Sequence, residues 1–188
     1  MKIRCPKPTL AAIVGIAILG LLAGPAYPAT LILPIQGHQV LTGDKGTSGI
    51  LIDIGSLDTL AGSKILYAKC YLNIAVDSCA DMYNALDAKS LVAQWSALAT
   101  GSISLTDTSA AMSTRAFAAD IDIGRGANGD TEILVTELLK AWLEGRMANN
   151  GFVLLPRNIG CSYELLSRAA YPGNGYGKLL IKFVGKTQ

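Results

Sequence analysis

From Ser63 to Val76 the chain alternates. Leu66, Ala68, Cys70, Leu72, Ile74 and Val76 fall on one face, and Tyr67, Lys69, Tyr71 and Asn73 on the other. A period of two is the mark of a strand with one buried face. The pattern recurs over Thr114 to Ile123, with Phe117, Ala119, Ile121 and Ile123 facing in and Asp120 and Asp122 facing out. It recurs again in Cys161, Tyr163 and Leu165, and in Leu179, Ile181 and Phe183 with Lys178 and Lys182 opposite. Shorter apolar runs at Thr30–Pro34 and Ile50–Ile54 predict further strands, as do Met82–Ala88 and Ser90–Trp95. ALDAKSLVAQW is also compatible with helix, because Ala, Leu and Lys favour it. Gly37–Gly49, Gly55–Gly62, Gly124–Gly129 and Tyr171–Gly177 read as loops from their Gly, Pro, Asn and Asp content. Ala97–Ser113 reads as a surface loop with room for a short strand at Ile103–Leu105.

One stretch changes period. In DTEILVTELLKAWLEGRMANNGFVLLP, Val135, Leu138, Leu139, Trp142 and Leu143 share one helical face. Asp130, Thr131 and Thr136 are the available N-caps, and Gly145 is the stop. Asn149-Asn150-Gly151 turns the chain into Phe152–Leu155, a run apolar enough to be buried, which Pro156 ends. About eight short strands, frequent turns and one helix predict an antiparallel β-sandwich of the jelly-roll kind. Trp142 and Trp95 read as core.

The N-terminus reads as a cleavable signal peptide. Lys2, Arg4 and Lys7 precede an uncharged apolar run from Leu10 to Ala23, and small residues follow. That run is shorter than the roughly 20 residues of a spanning helix. Cleavage after Ala26 and after Ala29 both remain open. A leader of 1–29 leaves a single domain of 159 residues, 30–188. Its loss also takes three of the 16 basic side chains, leaving 13 against 14 acidic ones, a net charge of about −1. No basic patch for nucleic acid and no stable membrane span then remain.

Export permits disulfides. Of the three cysteines beyond the leader, Cys70 and Cys161 lie on apolar strand faces and make the expected pair, Cys79 being left over. Three separate thiols is the other arrangement the sequence allows. Catalysis has little to stand on. His38 is the single histidine and lies in a predicted Gly-rich loop, and Asp120 with Asp122 reads as a polar stripe rather than a carboxylate pair. DIDIGRGANGD gathers oxygen ligands suited to Ca2+, namely Asp120, Asp122, Asn128 and Asp130; a plain hairpin loop accounts for it too. Sugar rings stack on exposed aromatic faces. Tyr67 and Tyr71 share the outer face of the long strand, and Tyr171 and Tyr176 sit in a Gly/Pro-rich loop.

VTELLKAWLEG followed by NNGFVLL resembles the helix–turn–strand signature of DNRLRE-type domains. CSYELLSRAAYPGNGYGKLLIKF and SKILYAKCYLNIAV are similar to later and earlier strands of that family. The resemblance spans residues 50 to 184 and places a strand ending at Trp95-Ser96. It implies a secreted β-sandwich module related to carbohydrate-binding modules. The expectation is a non-catalytic module, secreted or at the cell surface, that binds an extracellular polysaccharide or other polymer. The alternative is an assembly subunit of a filament or matrix. In it Thr30–Ile35 pairs with a neighbour's sheet edge, with Gly37–Gly49 as a spacer.

Overall fold

The computed structural model describes residues 27–79, 85–92, 112–113, 115–123, 129–158 and 160–185. Residues 1–26, Trp95, Ile103–Leu105 and Asn128 fall outside them, and with them most of the leader and the short strand expected in the long loop.

The chain is mainly β, in three antiparallel sheets. Its strands are β1 (Pro28–Pro34), β2 (Gly37–Thr42), β3 (Ser48–Asp53), β4 (Lys64–Leu72), β5 (Ile74–Ser78) and β6 (Ala85–Ser90). They continue with β7 (Ala118–Asp122), β8 (Thr131–Leu134), β9 (Phe152–Pro156), β10 (Ser162–Leu165) and β11 (Gly177–Val184). Among the described residues a single α-helix, α1 (Thr136–Leu143), lies between β8 and β9. One sheet runs β1-β11-β4-β8, a second β2-β3-β9-β6-β7, and β10-β5 is a two-stranded third. The first two face each other across a common core as a β-sandwich. Ala68, Cys70, Leu179 and Ile181 enter that core from one side, and Ile50, Ile52, Phe152 and Leu154 from the other. Phe117 meets Phe152 edge to face at 5.6 Å.

GILI and FVLL are apolar at every position because their sheet is buried on both faces. Leu51 and Val153 point away from the sandwich core, yet both are 0% exposed. They join Leu41, Leu91 and Met112 in a second cluster on the outer side.

Two expectations need correction. Gly37–Thr42 is strand β2, so Gly37–Gly49 is the hairpin of β2 and β3 and no spacer. Its turn uses a left-handed Lys45 and Gly46. The long strand breaks at Asn73, β5 leaves for the third sheet, and Val76 is exposed. A bulge opposite Phe183 also swaps the parity at the start of β4, burying Ile65 and exposing Leu66. The strand expected at Thr30–Pro34 is present as β1, which begins at Pro28 and pairs with β11 of its own chain.

β1 is a sheet edge, and its prolines say which way it faces. Pro28 and Pro34 have no N–H, so neither can donate to β11. They share one parity with Thr30 and Ile32, and that parity faces the open edge. The odd residues face β11, and the ladder runs on as Ile35 N–H donates to the Gly177 carbonyl at 3.3 Å.

The helix starts later than its candidate caps. Thr131 belongs to β8, and no side chain caps α1. Thr136 instead continues the ladder. Its Oγ1 accepts from Ala68 N–H at 2.9 Å and donates to the Ala68 carbonyl at 3.3 Å, where β8 has ended. At the other end Gly145 N–H bonds the Trp142 carbonyl and Arg146 N–H the Ala141 carbonyl, a Schellman closure with Gly145 at φ 69°.

Cys161 bonds to Cys79, not to Cys70. The reason is topological. β5 and β10 pair with Ser78 opposite Ser162, so the residues just beyond, 79 and 161, meet at the end of that ladder. Cys70 is a buried free thiol beside Ile133 and Leu179 in the register.

Candidate ligand-binding face

The outer face of the four-stranded sheet is built by register. On β4 the inward set is Ala68, Cys70 and Leu72, so Tyr67, Lys69 and Tyr71 point outward. Across the ladder Tyr67 sits opposite Lys182, Lys69 opposite Leu180, and Tyr71 opposite Lys178. β8 adds Leu134 beside Lys69 and Glu132 beside Tyr71, and β1 adds Ile32 beside Leu180. Tyr67 is 37% exposed, Ile32 52% and Leu134 58%. The face therefore presents two phenol rings on one strand, about 13 Å apart at some 3.3 Å per residue. Lysines sit between and beside them.

Charges fix the chemistry of that face. Lys69 Nζ lies 2.6 Å from Glu132, a half-exposed pair that contributes little to stability. Its hydrogen bond to Glu132 pushes the Lys69 pKa up. Burial, followed by Glu132, pushes the Tyr71 phenol up, so it stays a neutral hydrogen-bonding group. Lys178 Nζ stands 5.3 Å from the Tyr71 ring and 5.4 Å from the Tyr171 ring, within cation–π range of both. Such a surface offers apolar ring faces together with N–H and O–H donors.

Tyr171 and Tyr176 occupy other positions than an exposed loop pair would. Tyr171 is buried. Burial first, and then the neighbouring Asp130 carboxylate, raise its phenol pKa. Arg168 ties that corner together. It donates to Asp130 at 2.6 Å and to the Asn73 amide oxygen at 3.3 Å, with its guanidinium 5.8 Å from the Tyr171 ring. A shallow hollow of about 340 Å3 opens here, between Arg168, Tyr171 and Asn174. Tyr176 packs against His38, ring centres 4.2 Å apart. His38 itself is on β2 rather than in a loop, and burial lowers its pKa.

The proposed calcium ligands are not gathered. Asp130 is buried and held by Arg168. Asp120 sits on β7 at φ 54°, its N–H bonded to Asp87 and its carboxylate to Arg157, which also pairs with Asp87 at 3.5 Å. Asp122 lies farther along β7 opposite Ala85, and Asn128 is outside the described residues. Among the described residues no three Asp, Glu, His or Cys side chains are placed to share a metal ion. Arginines supply the positive charge that a cation was expected to bring.

Of the sequence-predicted aromatics, the fold brings Tyr67 and Tyr71 onto one accessible surface, buries Tyr171 at its border beside Lys178, and packs Tyr176 against His38. The lysines opposite them were visible as the polar phase of β11, but their pairing with β4 was not. The sequence matches no family model and no curated protein.

Proposed function

We propose that this protein is a secreted, non-catalytic β-sandwich module that binds an extracellular polymer, a polysaccharide first of all. The binding surface is the outer face of the sheet β1-β11-β4-β8. The observation that carries this reading is the pair Tyr67 and Tyr71, outward on one strand with Lys182 and Lys178 directly opposite. Aromatic faces stack on the apolar side of a sugar ring, and lysines hydrogen-bond its hydroxyl or acidic groups. The likeness of the α1–NNG–β9 unit to DNRLRE-type domains points the same way.

The test is a glycan array and sedimentation with insoluble polysaccharides, using wild type and Tyr67→Ala/Tyr71→Ala. Neither ring enters the core, so the double variant should keep its melting temperature and lose retention at least tenfold. Retention unchanged in the double variant would remove this face from consideration. The second reading, an assembly subunit, draws on β1 as an uncharged edge strand. Concentration-dependent polymers with no glycan retention would select it.

A further inference from the structure

We infer that the leader is removed between Ala26 and Tyr27, so that the mature chain begins at Tyr27 and has 162 of the 188 residues. The inference rests on the reading of this protein as exported, and it decides between two bonds that the sequence alone left open.

The first observation is side-chain size. Processing of a leader needs small residues one and three positions before the scissile bond. For the bond after Ala26 these are Ala26 and Gly24. For the bond after Ala29 they are Ala29 and Tyr27, and a phenol ring is not small.

The second observation comes from the fold and is independent of the first. The strand β1 already includes Pro28 and Ala29, paired with Val184 and Phe183. By the parity that the two prolines impose, Ala29 turns its N–H and carbonyl toward β11. The Phe183 opposite it packs against the core. A cut after Ala29 deletes this rung and two of the seven register positions. A cut after Ala26 leaves all seven. Tyr27 lies outside β1 and is 81% exposed, so a new terminal ammonium there meets water and no buried group.

The step is a hydrolysis by a membrane-bound signal peptidase. Water adds across the Ala26–Tyr27 amide, leaving a carboxylate on Ala26 and an ammonium on Tyr27. Nothing is oxidised or reduced.

The experiment is intact-mass measurement and N-terminal sequencing of the full chain after expression in a secreting host. The expected product starts at Tyr27. A product starting at Thr30 overturns the inference while export stands. A cell-associated chain retaining residues 1–26 overturns export as well. Tyr27→Ala puts a small side chain three positions before the second bond, so a fraction starting at Thr30 should now appear; its absence counts against the size argument. Finally, a chain made to start at Thr30 should melt lower than one starting at Tyr27, and equal melting temperatures would overturn the structural half.

Discussion

Ser48 Oγ accepts the Tyr163 N–H at 2.8 Å and donates to the Tyr163 carbonyl at 3.2 Å, both within the buried interior. One hydroxyl thus closes the gap between β3 and β10, acting as a rung where no strand pairing exists. Ser48 N–H adds a bond to the Cys161 carbonyl at 3.1 Å. The third sheet is fastened to the five-stranded one here, beside the disulfide.

Ser48→Ala leaves a buried N–H and a buried carbonyl of Tyr163 without that partner. Each such group costs about 1–3 kcal/mol when orphaned. Urea unfolding should show a lower midpoint at unchanged slope, while Ser48→Thr keeps most of the stability if its methyl is accommodated. An Ala variant as stable as wild type would mean that water replaces the hydroxyl.

Gly151 adopts φ 82°, and a Cβ there runs into the Ile52 carbonyl oxygen of β3. That contact is with backbone and cannot swing away. Gly151→Ala should destabilise by more than about 1 kcal/mol, beyond the ordinary Gly-to-Ala difference. Thermal unfolding checks it, with Gly145→Ala as the comparison, since a Cβ at that position meets nothing within 4 Å.

Trp142 is 7% exposed and lies at the centre of the inward face of α1. Trp142→Ala should cost about 3–5 kcal/mol. Its buried Nε1 has no hydrogen-bond partner among the described residues, so Trp142→Phe loses volume but none of these bonds and should fall well short of that cost. Calorimetry of the two variants separates packing from hydrogen bonding. Retention of a polysaccharide by whatever fraction stays folded should be unaltered in both.

Cys70 ties stability to alkaline pH. Burial pushes its thiol from 9.0 to about 12. The folded state therefore holds the proton longer than the unfolded one does. The stability due to the neutral thiol is complete below pH 9 and is lost as pH rises toward 12. Cys70→Ala should have lower stability at neutral pH but a flatter decline between these values, read as the difference between two melting-temperature profiles. Alkylation of a folded chain lacking residues 1–26, and with them Cys5, should label no thiol, because Cys70 is 0% exposed and Cys79 is bonded to Cys161.

Much of this could be read from residue order because the cause was local. Leu179 and Ile181 alternate with lysines, and they line the core; Gly145 and Gly151 mark sites that need positive φ, and both adopt it. What was misread depended on partners distant in sequence. Asn73 looks like one more polar phase of a long strand, and only β10, arriving some 90 residues later, draws β5 into another sheet. Gly37–Gly49 taken whole is rich in loop formers, yet pairing with the apolar β3 makes its first six residues a strand. Cys79 sits in what reads as a turn, and its bond to Cys161 follows from the β5–β10 ladder. For the candidate face, Tyr67 and Tyr71 were legible as outward by alternation. Tyr171 is buried beside an Asp130–Arg168 contact that no local pattern announces.

The two prolines of β1 give its open edge an unequal valence. The residues turned outward are Pro28, Thr30, Ile32 and Pro34, which together expose four carbonyls and only two N–H groups. A twin β1 laid antiparallel alongside would bring the same shortage of donors, and no sliding of register can exceed four bonds between the pair. A strand without proline would fill every acceptor. The edge thus discriminates by composition rather than by shape: a second β1 would leave acceptors unfilled, and a strand added here would bond more fully if it carried no proline.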